Sequence, residues 1–193
     1  MFYVICSKCK SDLVRVFRSF LNKIQLLGYN VRVLRIDNDY VFLGSDFQSV
    51  CQEFNIVVQR SAPYRHHQLG RMERQWRTLS DTTIALMDDS QLDKRFWGHA
   101  FLTAVYTRNR VWSQGSKCIP YEAVFGKLPD LSNLRVFGCQ VFSHIDKSRQ
   151  HKLSPKATKG VFDGYASDCP AWLIYNPTTR SITRTNSAAF NEH

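Results

Sequence analysis

Three patterned stretches in close succession constrain this chain most. VRVLRI (31–36) is an apolar run of strand length that ends directly in Asp37. DFQSVCQEF (46–54) reads as a short helix capped by Ser45 or Asp46, and NIVVQR (55–60) is another strand-length run, broken by SAPY at Pro63. Strands and helices alternating at this spacing call for an α/β arrangement. Upstream, FYVIC (2–6) is β-prone, and SKCKSD supplies Ser11 and Asp12 as helix-start signals. LVRVFRSFLNKIQLLG then places Val14, Phe17, Leu21, Ile24 and Leu27 at helical steps, which predicts a helix closed by Gly28.

Downstream of the break, Leu69, Met72, Trp76, Leu79 and Leu86 form one apolar stripe, predicting a long helix from about Gln68 to Met87 with Glu73 at the edge of the stripe. A further helix is expected over about Leu92 to Val111, its inner side carrying Phe96, Trp97, Ala100, Phe101 and Ala104. Trp76, Trp97 and Trp112 are expected in the core rather than as base-stacking platforms. The pattern then changes. Residues 113–133 carry Gly, Pro and Ser and read as a connector with a short helix near Tyr121 to Phe125. From Leu134 the short β-prone runs VFGCQVFSHI, GVFDGYA, AWLIYNP and SITRTNSAAF, separated by turn residues, predict a small barrel or antiparallel sheet over 134–193.

Charge narrows the class of partner without choosing one. Twenty-six Lys and Arg against sixteen Asp and Glu give +10, which favours nucleic acid, an anionic membrane or an acidic partner. No stretch approaches the ~18 apolar residues of a membrane span, and MFYVICSKCKSDL lacks a signal-peptide pattern. A soluble intracellular protein is expected. The six cysteines are scattered and read as reduced, and Cys6-x-x-Cys9 has no second pair at zinc-finger spacing.

The chemistry concentrates at Asp37 and Glu73. A carboxylate at the carboxyl end of a strand sits where α/β sheets bind ligands, and a second one on a helix packed against the sheet can converge on it. Two hard oxygen ligands suit Mg²⁺ or Mn²⁺ and phosphoryl transfer. Arg65, His66, His67, Arg71, Arg74 and Arg77 surround Glu73 in sequence and would hold phosphates nearby. The opposing reading is that Asp37 opens a turn and Glu73 is a solvated acid in the first turns of a helix, where the dipole favours it. His66-His67 lacks ligand spacing and reads as a phosphate contact or a surface pair. A second basic cluster, Lys147, Arg149, Lys152, Lys156 and Lys159, lies in the β-rich tail.

These residues also carry a resemblance. LRIDNDYVF and SAPYRHHQLGRMERQWRTL resemble the segments bearing the second and third catalytic acids in the integrase region of copia-type LTR retrotransposon Pol polyproteins. RFWGHAFLTAVYTRNR, IPYEAVFGK, LSNLRVFGC, KGVFDGYA and LIYNPTTR are similar to the motifs that follow in the same order. The resemblance implies an RNase H-like catalytic core over 1–112, a mixed sheet with flanking helices that lacks its first strands, then a connector over 113–133 and the polyprotein's small β-rich region over 134–193. It further implies DNA strand transfer with two divalent metals, Mg²⁺ or Mn²⁺, held in part by Asp37 and Glu73.

Three departures qualify it. The family's first catalytic Asp lies upstream of anything in this chain, and Asp12, the carboxylate preceding Asp37, matches a helix-start position instead. NDYVF at 38–42 replaces an Asn-Gly-Gly-Glu-Tyr type of run, and YRHHQLG at 64–70 replaces a loop that usually carries Pro and Asn. FYVICSKCKSDL resembles the family's third strand and the start of the next helix, so an unpaired apolar sheet edge and self-association are expected. The leading expectation is an N-terminally truncated integrase fragment, inactive alone, acting on DNA in the nucleus and taking no small-molecule substrate. The alternatives are a non-catalytic DNA-binding or assembly module and a decayed remnant without function.

Overall fold

The computed structural model describes residues 1–193 except Lys8, Asp37, Asn38, 61–69, Lys147, 149–151, Leu153 and His193, and except the side chain of Arg71. The described chain forms two compact units, Ile5–Trp76 and Met1–Val4 together with Arg77–His193.

In Ile5–Trp76, helix α1 (Leu13–Leu26) forms where the apolar steps predict it. It ends in a Schellman turn: the Gly28 N–H donates to Gln25 and the Tyr29 N–H to Ile24, with Gly28 at φ +81°. Strand β1 (Val33–Ile36), helix α2 (Ser45–Glu53) and strand β2 (Val57–Arg60) follow. The two strands pair in parallel with Val33 beside Val57, so α2 is the crossover between them. Leu21, Phe47, Val50, Cys51 and Ile56 are the buried centre, and the Phe47 ring stacks on Phe17 at 5.1 Å between centroids. A Phe at that centre is what lets two helices and a two-stranded sheet close a core.

Helix α3 (Gly70–Ser90) begins in this unit and continues into the other. There a 3-10 turn capped by Asp93, whose carboxylate accepts from the Arg95 N–H, leads into α4 (Trp97–Arg108). Leu79, Phe101, Ala104 and Val105 form the core between α3 and α4, with Phe2, Val4 and Leu86 packed against it. FYVIC is therefore not a strand. The Phe2 N–H donates to Asn109 Oδ1 at 2.7 Å and the Asn109 Nδ2 donates to the Phe2 carbonyl at 2.8 Å. One buried side-chain amide thus satisfies backbone groups that a neighbouring strand would otherwise have taken.

The tryptophans correct a second expectation. Trp76, Trp97 and Trp112 are 59%, 58% and 61% exposed. Burial of the α3 stripe begins at Leu79, leaving Met72 and Trp76 outside, and Trp97 is the first residue of α4, a turn ahead of the buried Ala100 and Phe101.

Helix α5 (Pro120–Phe125) starts on proline and stops at Gly126, as the connector's composition predicts. Strands β3 (Gln140–His144), β4 (Ala157–Tyr165), β5 (Trp172–Asn176), β6 (Ser181–Thr185) and β7 (Ala188–Asn191) then form an antiparallel sheet in the order β6-β5-β4-β3-β7. Val141, Phe162 and Ile174 are its buried centre, and a bulge interrupts β4 between Phe162 and Gly164. The mixed α/β class and the β-rich tail are both as the sequence predicts. The described cysteines are all free.

Candidate functional site

The candidate acids are placed unequally. Glu73 lies in the first described turn of α3 and is exposed, where the positive end of the helix favours a carboxylate. Arg74 beside it and Arg77 one turn on are also exposed. Asp37, Arg65, His66 and His67 lie outside the described residues, as do Lys147, Arg149 and the side chain of Arg71. Lys152, Lys156 and Lys159 are all exposed, and Lys159 stands on β4 opposite Phe142 of β3.

The segment just after Asp37 is built as a fixed corner. Asp39 caps the 3-10 turn Tyr40–Leu43 by accepting from the Val41 N–H, and its other oxygen pairs with Lys10 Nζ at 3.0 Å. The Lys10 ammonium, the larger influence, and the Val41 N–H hold the Asp39 carboxyl below the usual carboxylate range. Lys10 also lies 4.9 Å from the Tyr40 ring. Between these residues opens a cleft of about 360 Å³ lined by Ile5, Leu13, Val16, Val41 and Phe42, with Lys10 and Asp39 on its polar side. Asp12 is occupied too: Ser7 Oγ donates to it at 2.6 Å and Arg15 at 3.2 Å, and together they lower its pKa.

One pair escaped the sequence reading. His99 of α4 puts Nδ1 2.9 Å from Oδ2 of Asp163 in β4, and Asp163 is 1% exposed. Both residues sit in motifs quoted above, FWGHAF and GVFDGYA, but a His on a helix and an Asp before a Gly gave no signal of meeting. Asp163 raises the protonation midpoint of His99 against the opposing effect of partial burial.

Among the described residues no three His, Cys, Asp or Glu side chains cluster as a metal site, and no helix is long and apolar enough to cross a membrane. The donor chemistry at Glu73, an exposed hard-oxygen ligand beside arginines, suits a divalent ion that also meets phosphate.

Residues 139–193, which contain the five-stranded sheet, match the retroviral polymerase SH3-like domain. Over 192 residues, 98% of this chain, the sequence is 28% identical to the retrovirus-related Pol polyprotein from transposon TNT 1-94 of Nicotiana tabacum. An uncharacterized mitochondrial protein of Arabidopsis thaliana is 34% identical over 89 residues, 46% of this chain and 72% of that protein. The catalytic core domain of BIV integrase overlaps 64% of this chain and 76% of its own at 21% identity and a TM-score of 0.48. Over nearly its whole length the chain is thus similar to a retrovirus-related Pol polyprotein of a transposon. It spans 14% of the length of the tobacco polyprotein.

Proposed function

We propose that this chain is the part of a copia-type retrotransposon integrase that carries the second and third catalytic acids, followed by the SH3-like region, and that it acts on DNA. The observation that carries the reading is Glu73: an exposed carboxylate in the first described turn of a long helix, followed by Arg74 and Arg77, in a chain related over nearly its full length to transposon Pol polyproteins. Asp37 and Glu73 would hold Mg²⁺ or Mn²⁺, and Arg74 and Arg77 would bring a DNA phosphate alongside. When bound, such an ion supplies Lewis-acid activation of a hydroxyl and stabilisation of a leaving oxygen. The protein's own contribution is positional. The Asp39 cap and its ion pair to Lys10 fix the backbone two residues after Asp37, and α3 fixes Glu73.

The division into a catalytic-core part over 1–112, a connector over 113–133 and a β-rich part over 134–193 is part of the proposal, as are nuclear action and self-association. Residues 1–193 contain two of the three implied carboxylates, so strand transfer by these residues alone is expected to be negligible.

The test is titration of the ¹⁵N-labelled chain with Mn²⁺. Paramagnetic broadening is expected to centre on amides around residues 37–39 and 72–74, and to disappear in Asp37→Asn and in Glu73→Gln. Broadening that ignores both substitutions would overturn the metal assignment.

A further inference from the structure

Asp163 has no part in the proposed reaction, yet it is the most deeply buried charged side chain among the described residues. An ionised carboxylate removed from water is costly unless it is paired. Neither of its oxygens accepts a well-aligned hydrogen bond from the described groups, and Thr103 Oγ1, one helical turn from His99, is likewise buried and unmatched. What stands against the carboxylate is His99 Nδ1 at 2.9 Å. The contact is an ion pair only while the ring is protonated.

The surroundings make the pair a junction between two elements. Gly164, at φ +123°, brings β4 so near α4 that a Cβ there would lie 2.8 Å from Thr103 Oγ1. The Phe96 ring stands edge-on to His99 at 6.3 Å and to Tyr175 of β5 at 4.8 Å, closing one side with apolar surface. His99 itself keeps 34% of its side chain in solvent, so protons reach it.

We propose that His99 and Asp163 form a protonation-dependent latch between α4 and β4, fastened by the imidazolium and loosened when the ring is neutral. The other charged groups on the packed elements are engaged elsewhere or distant. Arg95, in the turn before α4, donates to the Tyr175 hydroxyl at 3.0 Å and lies 5.0 Å from the Phe96 ring. Lys94 is exposed, Arg108 is more than two turns along α4, and Lys159 stands at the far, exposed part of β4. Tyr106 and Tyr165 are both raised by burial and stay neutral throughout the range in which His99 titrates.

The sign follows from linkage. The folded state holds the His99 proton at a pH where the unfolded chain, with a midpoint near ~6.5, has released it. The stabilisation is therefore complete below that unfolded midpoint and is lost as pH rises through the higher folded one.

The experiment uses the whole chain, following the His99 imidazole by NMR from pH ~5 to ~9 and hydrogen-exchange protection of α4 amides, corrected for intrinsic rate, at both ends of that range. The His99 midpoint is expected above that of a peptide histidine, and protection of Ala100–Val105 is expected to fall with rising pH, by at most about tenfold per unit, the limit for one proton. In Asp163→Asn the midpoint drops to the peptide value or below, and in both that variant and His99→Gln the pH dependence of protection flattens. A wild-type midpoint at or below the peptide value overturns the latch, as does a protection profile that survives His99→Gln unchanged. Should Asp163→Asn not fold, the wild-type titration and His99→Gln decide.

Discussion

Gly164 answers two demands at a single residue. Its φ of +123° is a conformation that side chains avoid, and the space a Cβ would need belongs to Thr103 Oγ1 at 2.8 Å. Gly28 meets only the first demand, since at φ +81° it has nothing within 4 Å of an added Cβ. The two glycines therefore separate backbone strain from crowding. Gly28→Ala is expected to cost about 1 kcal/mol, the ordinary penalty of a left-handed residue, whereas Gly164→Ala adds an overpacking penalty and reaches about 2–4 kcal/mol. Urea midpoints at constant m-value measure both, and equal losses would show that Thr103 yields without cost.

Elements differ in how openly the sequence declares them. Helices α1, α2 and α5 and strands β3, β4 and β5 carry their own period and their own turn residues, so each was legible within a dozen positions, whereas SITRTNSAAF, read as one run, divides into β6 and β7 at opposite edges of the sheet. FYVIC was misread because what satisfies Phe2 is the side chain of Asn109, which no local pattern reveals. Helix α4 was read incompletely because it is buried on two sides: Phe101, Ala104 and Val105 are in its core with α3, while His99 reaches β4. A stripe-based reading finds the first face and leaves the second, polar one unseen. At the candidate site Glu73 was legible as a first-turn acid, while the fixed corner at Asp39 was not, since its ion pair comes from Lys10. The parallel pair β1-β2 carries its own consequence. Val33 and Val57 are neighbours in register and both exposed, an apolar cross-strand patch of the kind that recruits another chain. Concentration-dependent elution in size-exclusion chromatography is expected, and Val33→Thr with Val57→Thr should shift it toward the monomer. Identical elution of the double variant would assign association to another surface.

At the scale of the whole molecule the +10 charge is the property that acts at a distance, and it bears on the DNA proposal in a way that the carboxylates do not. Lysines that neutralise phosphates release condensed counterions, so affinity falls with salt at a logarithmic slope of roughly 0.9 per phosphate contact on duplex DNA. Lys152, Lys156 and Lys159 are exposed within the span matched by the SH3-like domain, and Lys159 stands beside the partly exposed Phe142 on the sheet. Replacing all three by Gln is expected to lower the slope by about 0.9 for each lysine that meets a phosphate and to weaken binding evenly across sequences. Asp37→Asn and Glu73→Gln, measured without divalent ion, should leave the slope unchanged, because removing an acid adds no phosphate contact. Fluorescence anisotropy of a labelled duplex over a salt series makes the comparison. A slope untouched by the triple substitution would move the DNA contact off the β-rich region and leave the arginines that follow Glu73 to account for it.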